Sequence, residues 1–177
     1  MPFTPYHLGP GILAKALLPG GFSLMVFGWS QILIDLQPLF VLLGGPGELH
    51  GITHTYLGAT ALGIVAAVTG KFLIELAFQR LPTRRQSTLS WTVALVSAML
   101  GTYSHVFLDS IMHRDVRPFY PLSPANGLFR WVSLPSLHRF CIYSGALGSA
   151  LYLAFRATTL AKQQSHKGEP AAADAGG

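Results

Sequence analysis

Apolar residues along this chain gather into four long runs separated by short polar breaks. The first, Phe22–Leu43, is interrupted by Asp35 and Pro38, and the second, Thr55–Gln79, by Lys71 and Glu75. The third, Leu89–Met112, contains His105 and Asp109, and the last is Leu137–Arg156. Each is close to the ~20 residues that cross a hydrocarbon core at about 1.5 Å of rise per residue. The breaks GGPGE, RLPTRRQS and RDVRPFYPLSPANGLFRW are rich in Pro, Gly, Arg and Ser. Ahead of the first run, residues 8–18 predict a short helix ended by Pro19-Gly20-Gly21. The opening segment does not read as a signal peptide: it has no basic start, Gly9, Pro10, Gly11 and Lys15 break its apolar stretch, and no A-x-A-like site follows. The end of the chain, AKQQSHKGEPAAADAGG, has no apolar period and predicts a disordered tail. The expected fold is all-α, an integral membrane helical bundle of about four transmembrane helices plus a short N-terminal helix. It occupies residues 1–160, with a tail over 161–177.

Composition sharpens this picture. Half of the 177 residues are hydrophobic and 11% are charged, where a soluble domain carries roughly a quarter charged residues. With a mean hydropathy of +0.43, a disordered chain, a disulfide-stapled mini-protein and a nucleic-acid arm are excluded. A soluble domain this apolar would lack charges to cover its surface, so the surplus faces a lipid bilayer. The net charge of +5 comes from scattered residues, without a basic stripe interleaved with aromatics, so no nucleic-acid partner is expected. Arg80, Arg84 and Arg85 lie between two apolar runs, and Lys162 and Lys167 lie in the tail. The positive-inside tendency then places that loop and both termini on the cytoplasmic side of the cell's inner (plasma) membrane. The loops at 44–54 and 113–136 face outward, although they hold Arg114, Arg117 and Arg130. Cys141 is alone and forms no disulfide within the chain.

The chemistry is expected where polar groups are costly. A carboxylate at the centre of a spanning helix costs on the order of 3 kcal/mol, and Asp35 and Asp109 are both in such surroundings. In SHVFLDSIMH, His105, Asp109 and His113 are spaced four apart and fall along one helical face. That row offers two imidazoles and a carboxylate, a set suited to Zn²⁺ or Mn²⁺; a His–Asp pair used for helix packing, or a proton relay, has the same spacing. In ELHGITHTYLG, His50 and His54 repeat it at the entrance to the second run, as two ligands or as two interfacial histidines, and Thr53 and Thr55 are candidate helix caps. Asp35 follows Gln31 by one turn; it either bonds between helices or is held ionised by a cation. Lys71 and Glu75 read as an ordinary ion pair outside the site. The candidate metal ligands are therefore His7, Asp35, His50, His54, His105, Asp109 and His113, enough for one metal or for two bridged by a carboxylate. His7 joins them only if the N-terminal segment folds back into the bundle. The metal reading requires the side chains of Asp35, His54, His105 and Asp109 to converge on one point.

The opening MPFTPYHLGPG, the acid in QILIDLQP, the HGITHTYLG segment and GTYSHVFLDSIMHRDVRPFYP resemble the bacterial membrane-bound metal-dependent hydrolases of the YdjM-like family. That family is grouped distantly with zinc-dependent phospholipase C and the S1/P1 nucleases. The resemblance covers about residues 1–125. It implies a bundle whose inward His and Asp residues hold one or two divalent ions, with zinc expected, and hydrolyse a phosphoester. It implies His7, Asp35, His54, His105 and Asp109 as ligands, with His50 and His113 as neighbours or further ligands. Asp35, His54, His105 and Asp109 would carry the catalysis. Where membrane relatives often have Arg after the first histidine of the second motif, this chain has Gly51. The His-x3-Glu pair of the soluble enzymes has no counterpart, since His138 is followed by Ile142.

Arg114 and Arg117 follow the metal row and either hold phosphate oxygens or sit among lipid headgroups. A site opening at the membrane surface suits a phospholipid or lipid-linked phosphate. Two other classes fit the same residues: a non-enzymatic bundle relaying protons or cations through Asp35, Asp109 and His105, and a bundle that binds metal without turnover.

Overall fold

The structure is a computed structural model that describes residues 5–80 and 88–167. Those residues form helices and connecting turns, with no strand among them. A 3-10 turn at Pro5–His7 leads into α1 (Leu8–Leu17). Then follow α2 (Leu24–Ile34), α3 (Leu36–Leu42), a second 3-10 turn at Ile52–His54, α4 (Tyr56–Arg80), α5 (Trp91–Met112) and α6 (Leu134–Lys167). Four segments are long and apolar enough to cross a membrane: Leu24–Leu42, Tyr56–Arg80, Trp91–Met112 and Leu134–Gln164. The four runs expected from the sequence are thus spans, with two differences. The first is divided at Asp35, because Pro38 has no N–H to return to the carbonyl one turn earlier. The last is longer than Leu137–Arg156: α6 continues to Lys167, into the segment expected to be tail. The rest of that tail, 168–177, and Arg84 and Arg85 lie outside the described residues.

Helix starts follow ordinary capping chemistry. Ser23 accepts from the Val26 N–H, Ser90 from Val93 and Thr55 from Gly58. Thr55 is the cap foreseen for α4. Thr53 is turned to another task, described below.

Helices α2, α4 and α5 pack on one another through small side chains. Val26, Ala66, Ala67, Ile74, Ala94 and Ala98 form the buried cluster, flanked by Trp29, Leu33, Phe78 and Leu89. Close approach of backbones is how helices associate where lipid removes the usual hydrophobic drive. The opposite faces carry Ile64, Val65, Phe72 and Leu76 on α4 and Leu95, Val96 and Leu100 on α5, all exposed. Buried serines and threonines, such as Ser30, Ser97 and Thr102, sit inside instead. Lys71 and Glu75 pair with each other and clip the Leu89 backbone, at the far end of α4 from His54.

The fold-back required of the N-terminal segment is present. α1 lies against α6 so closely that a Cβ on Gly9 would sit 1.9 Å from the Cys141 carbonyl oxygen, and one on Gly148 2.5 Å from the Leu13 nitrogen. Lys15 closes the other end of α1, donating to the Pro19 and Phe22 carbonyls at 2.7 and 2.8 Å. These contacts bring His7, at the head of α1, into the bundle.

Candidate metal centre

Four segments meet at one end of the bundle. The turn before α1 supplies His7, the break after α2 supplies Asp35, and the turn before α4 supplies His50 and His54. The last turns of α5 supply His105 and Asp109, with His113 just beyond. All but the half-buried His113 are buried: His54 is 0% exposed, His105 2% and Asp109 5%.

Asp109 is the hub. Its Oδ2 lies 3.4 Å from Nε2 of His54, 3.4 Å from Nε2 of His105 and 4.0 Å from Nε2 of His50. Its Oδ1 is 3.6 Å from Nε2 of His7. Oδ1 of Asp35 is 3.3 Å from Nε2 of His105 and 3.9 Å from Nε2 of His54. The imidazoles contact one another as a chain, with ring centroids 4.8 Å apart for His7–His105, 5.4 Å for His54–His105, 4.9 Å for His50–His54 and 4.5 Å for His50–His113. Three overlapping groups could each hold an ion: His7 with His105 and Asp109, Asp35 with His54 and His105, and His50 with Asp109 and His113. In each, the ligand atoms lie within 4.8 Å of one another. The convergence that the sequence demanded of Asp35, His54, His105 and Asp109 is met.

The groups behind the imidazoles define their tautomers. Gln31 donates its amide to the Gly101 carbonyl, so its Oε1, 2.5 Å away, accepts from Nδ1–H of His105. The Thr53 hydroxyl donates to Oε1 of Gln37 at 2.6 Å, so at 3.0 Å it accepts from Nδ1–H of His54. Asp115 accepts from Nδ1–H of His50 at 2.8 Å. In each case Nδ1 carries a proton, and Nε2 is the ring nitrogen that faces the carboxylates. Nε2 of His54 and of His105 and both ring nitrogens of His7 are buried with no hydrogen-bond partner. Orphaned buried nitrogens beside buried acids fit a cation, and an anchored Nδ1–H is the usual partner of a metal-binding Nε2. Gly51 belongs to this support, since a Cβ there would lie 1.9 Å from Nε2 of Gln37.

The titration of the groups outside the spans agrees. Burial pushes the His7 imidazole down to about 4, and it lowers His54 and His113 as well. These histidines are neutral at pH 7, the form that binds metal. Against the burial that would raise it, the hydrogen bond from His50 holds Asp115 below the usual carboxylate range.

A cleft of about 160 Å³, lined by Glu48, His50, Gly51, Arg117 and Tyr120 among others, reaches the centre from the loop side. A larger, mostly apolar cavity of about 770 Å³ lies at the other end of the bundle, and no histidine or carboxylate is among its described lining residues. Arg117 lines the cleft paired with Glu48, while Arg114 is exposed on the loop after His113. Asn126 holds that loop on α5, donating to the Ser110 and His113 carbonyls, each at 2.9 Å. His138 stacks on Tyr6 at 4.9 Å and is in none of the three groups. Four-residue spacing singled out His50, His54 and the His105–Asp109–His113 row as candidate ligands, but the supporting roles of Gln37, Asp115 and Asn126 had no local signal.

The family model described as YdjM inner membrane protein matches residues 21–169. No curated protein and no solved structure matches the chain.

Proposed function

The chain belongs to the YdjM inner membrane protein family, and on that premise we propose that it is a membrane-embedded metal-dependent hydrolase of phosphoester bonds in a lipid or lipid-linked substrate. Zinc is the expected metal, in one or two ions, held by His7, Asp35, His50, His54, His105, Asp109 and His113. One observation carries the proposal: Nε2 of His54 and of His105 are buried without hydrogen-bond partners while facing carboxylate oxygens between 3.3 and 3.9 Å away. Both rings already donate through Nδ1, so in the neutral, metal-binding form each Nε2 meets the acids lone pair to lone pair. Left so, each unpaired group costs on the order of 1–3 kcal/mol; a shared cation turns the same groups into ligands.

A bound divalent ion would supply Lewis acidity and acidify a water toward pKa ~7. The chain's own residues do the rest. Asp35 and Asp109 provide the negative charge that retains a cation, and Gln31, Thr53 and Asp115 fix the imidazoles. Arg117 in the cleft and Arg114 at its approach offer donors to phosphate oxygens. Ile52 and Tyr120, both exposed, line the cleft, which suits a substrate arriving from the lipid interface. By the Lys/Arg asymmetry this end faces outward and the end of α6 is cytoplasmic, but His7 and the start of α1 lie at the outward end with the other candidate ligands, not on the cytoplasmic side expected from the sequence.

Metal analysis of detergent-purified protein, with a phosphodiesterase assay on a chromogenic diester, tests the proposal. Stoichiometric zinc or manganese, lost together with turnover in Asp109→Ala, is the expected result. A metal-free, folded protein overturns it; pH-dependent cation movement in vesicles would then favour the relay reading, which the same buried acids and imidazoles allow. Metal without turnover would leave a metal-binding bundle that hydrolyses nothing.

A further inference from the structure

The cleft leading to His50 already contains an anion supplied by the chain itself. Arg117 and Glu48 form an ion pair across it, and the guanidinium carbon lies 5.6 Å from the centroid of the Tyr120 ring. The guanidinium is thus held between a carboxylate and an aromatic face, in the wall that also contains His50. The two partners are not equally fixed. The Glu48 side chain is 64% exposed and that of Arg117 36%. The Glu48 carbonyl accepts from the Gln37 amide at 3.3 Å, so the backbone is anchored while the carboxylate extends into water. Such a solvent-exposed pair is weakly held and readily exchanged. The guanidinium fork matches a phosphate at least as well as a carboxylate, and a phosphate dianion brings twice the charge.

We propose that Glu48 is an internal stand-in for a phosphate group: its carboxylate occupies Arg117 until the phosphate of an incoming ester displaces it beside His50. The pair makes the entrance selective. A neutral ligand gains nothing by breaking it, a carboxylate or a phosphodiester, each a monoanion, exchanges like for like, and the dianion of a phosphate monoester displaces Glu48 with a gain. The identification of the ligand as a phosphate ester rests on the hydrolase proposal above; the competition between Glu48 and a ligand anion for Arg117 does not.

The test uses the full-length, zinc-loaded protein in detergent, titrated calorimetrically with inorganic phosphate and, separately, with phosphatidic acid in the same micelles. Metal content of every variant serves as the check that the centre is intact, and Arg117→Lys is a charge-keeping second variant. Glu48→Gln is expected to bind about tenfold more tightly, and Arg117→Gln at least about tenfold more weakly, with Arg117→Lys between the wild type and Arg117→Gln. The double variant is expected to show none of the Glu48→Gln gain. This pattern with inorganic phosphate identifies a soluble phosphate as sufficient; the pattern with phosphatidic acid alone identifies a headgroup in its lipid setting. The inference is overturned if Glu48→Gln leaves both affinities unchanged or weakened, or if its gain survives loss of Arg117. Turnover with metal but without the pattern sinks the stand-in and leaves the hydrolase; the pattern without turnover does the reverse.

Discussion

The imidazoles of His50, His54 and His105 depend on the groups behind them. His105 reaches Gln31 across 74 residues of sequence, and replacing that acceptor leaves a buried Nδ1–H unpaired and the ring free to turn. Gln31→Leu is expected to weaken zinc affinity about 10–100-fold while the bundle stays folded, measured by competition with a chromogenic chelator. Acid titration gives a second check. His7, at about 4 in the folded state against ~6.5 unfolded, binds fewer protons folded than unfolded. Its contribution is therefore complete above about pH 6.5 and is lost as pH falls toward 4, up to roughly 3 kcal/mol. His54 and His113, lowered in the same direction, add to the loss. The melting temperature of chelator-treated protein should fall steeply across that window, and a flat profile would contradict buried, neutral histidines. Spacing alone exposed the His105–Asp109–His113 row, because four-residue intervals define a helical face. It could place Gln31 a turn before Asp35 but not against His105, since that contact exists only once two helices pack.

At the scale of elements, the short α1 matters most. It is too short to span a bilayer at about 1.5 Å per residue, so its place depends on contact with α6. Gly9→Leu would drive a side chain into the Cys141 carbonyl, push α1 outward and withdraw His7. The expected outcome is a lowered melting temperature and weaker or partial metal loading, whereas Gly21→Ala, with nothing within 4 Å of the new methyl, should change neither. The sequence marked the helix ends through Pro19-Gly20-Gly21 and the threonine cap. It did not mark the reach of α6, whose polar last turns have the composition of a tail yet continue the helix to Lys167. Nor did the break at Asp35 stand out, because an apolar run reads as continuous until the missing N–H of Pro38 is counted.

For the whole molecule, all the candidate ligands lie at the end that joins α3 to α4 and α5 to α6, while Arg80, at the end of α4, and Thr88, just before α5, lie at the other. With Cys141 replaced by Ser, a membrane-impermeant maleimide should label Ser133→Cys on intact cells and Thr88→Cys only after permeabilisation; the reverse pattern would invert the proposed orientation. Four spans and their order were legible because lipid imposes length and apolarity. The side facing each neighbour was not, since α4 and α5 turn their small and hydroxyl residues inward and their large apolar ones out. Asp109 and His105 each belong to two of the three groupings. The carboxylate of Asp109 has one oxygen for each of its groupings, but His105 has a single Nε2 to offer, its Nδ1 being held by Gln31. An ion among His7, His105 and Asp109 would therefore deny that donor to one beside Asp35 and His54, and the three berths could never all be tenanted at once.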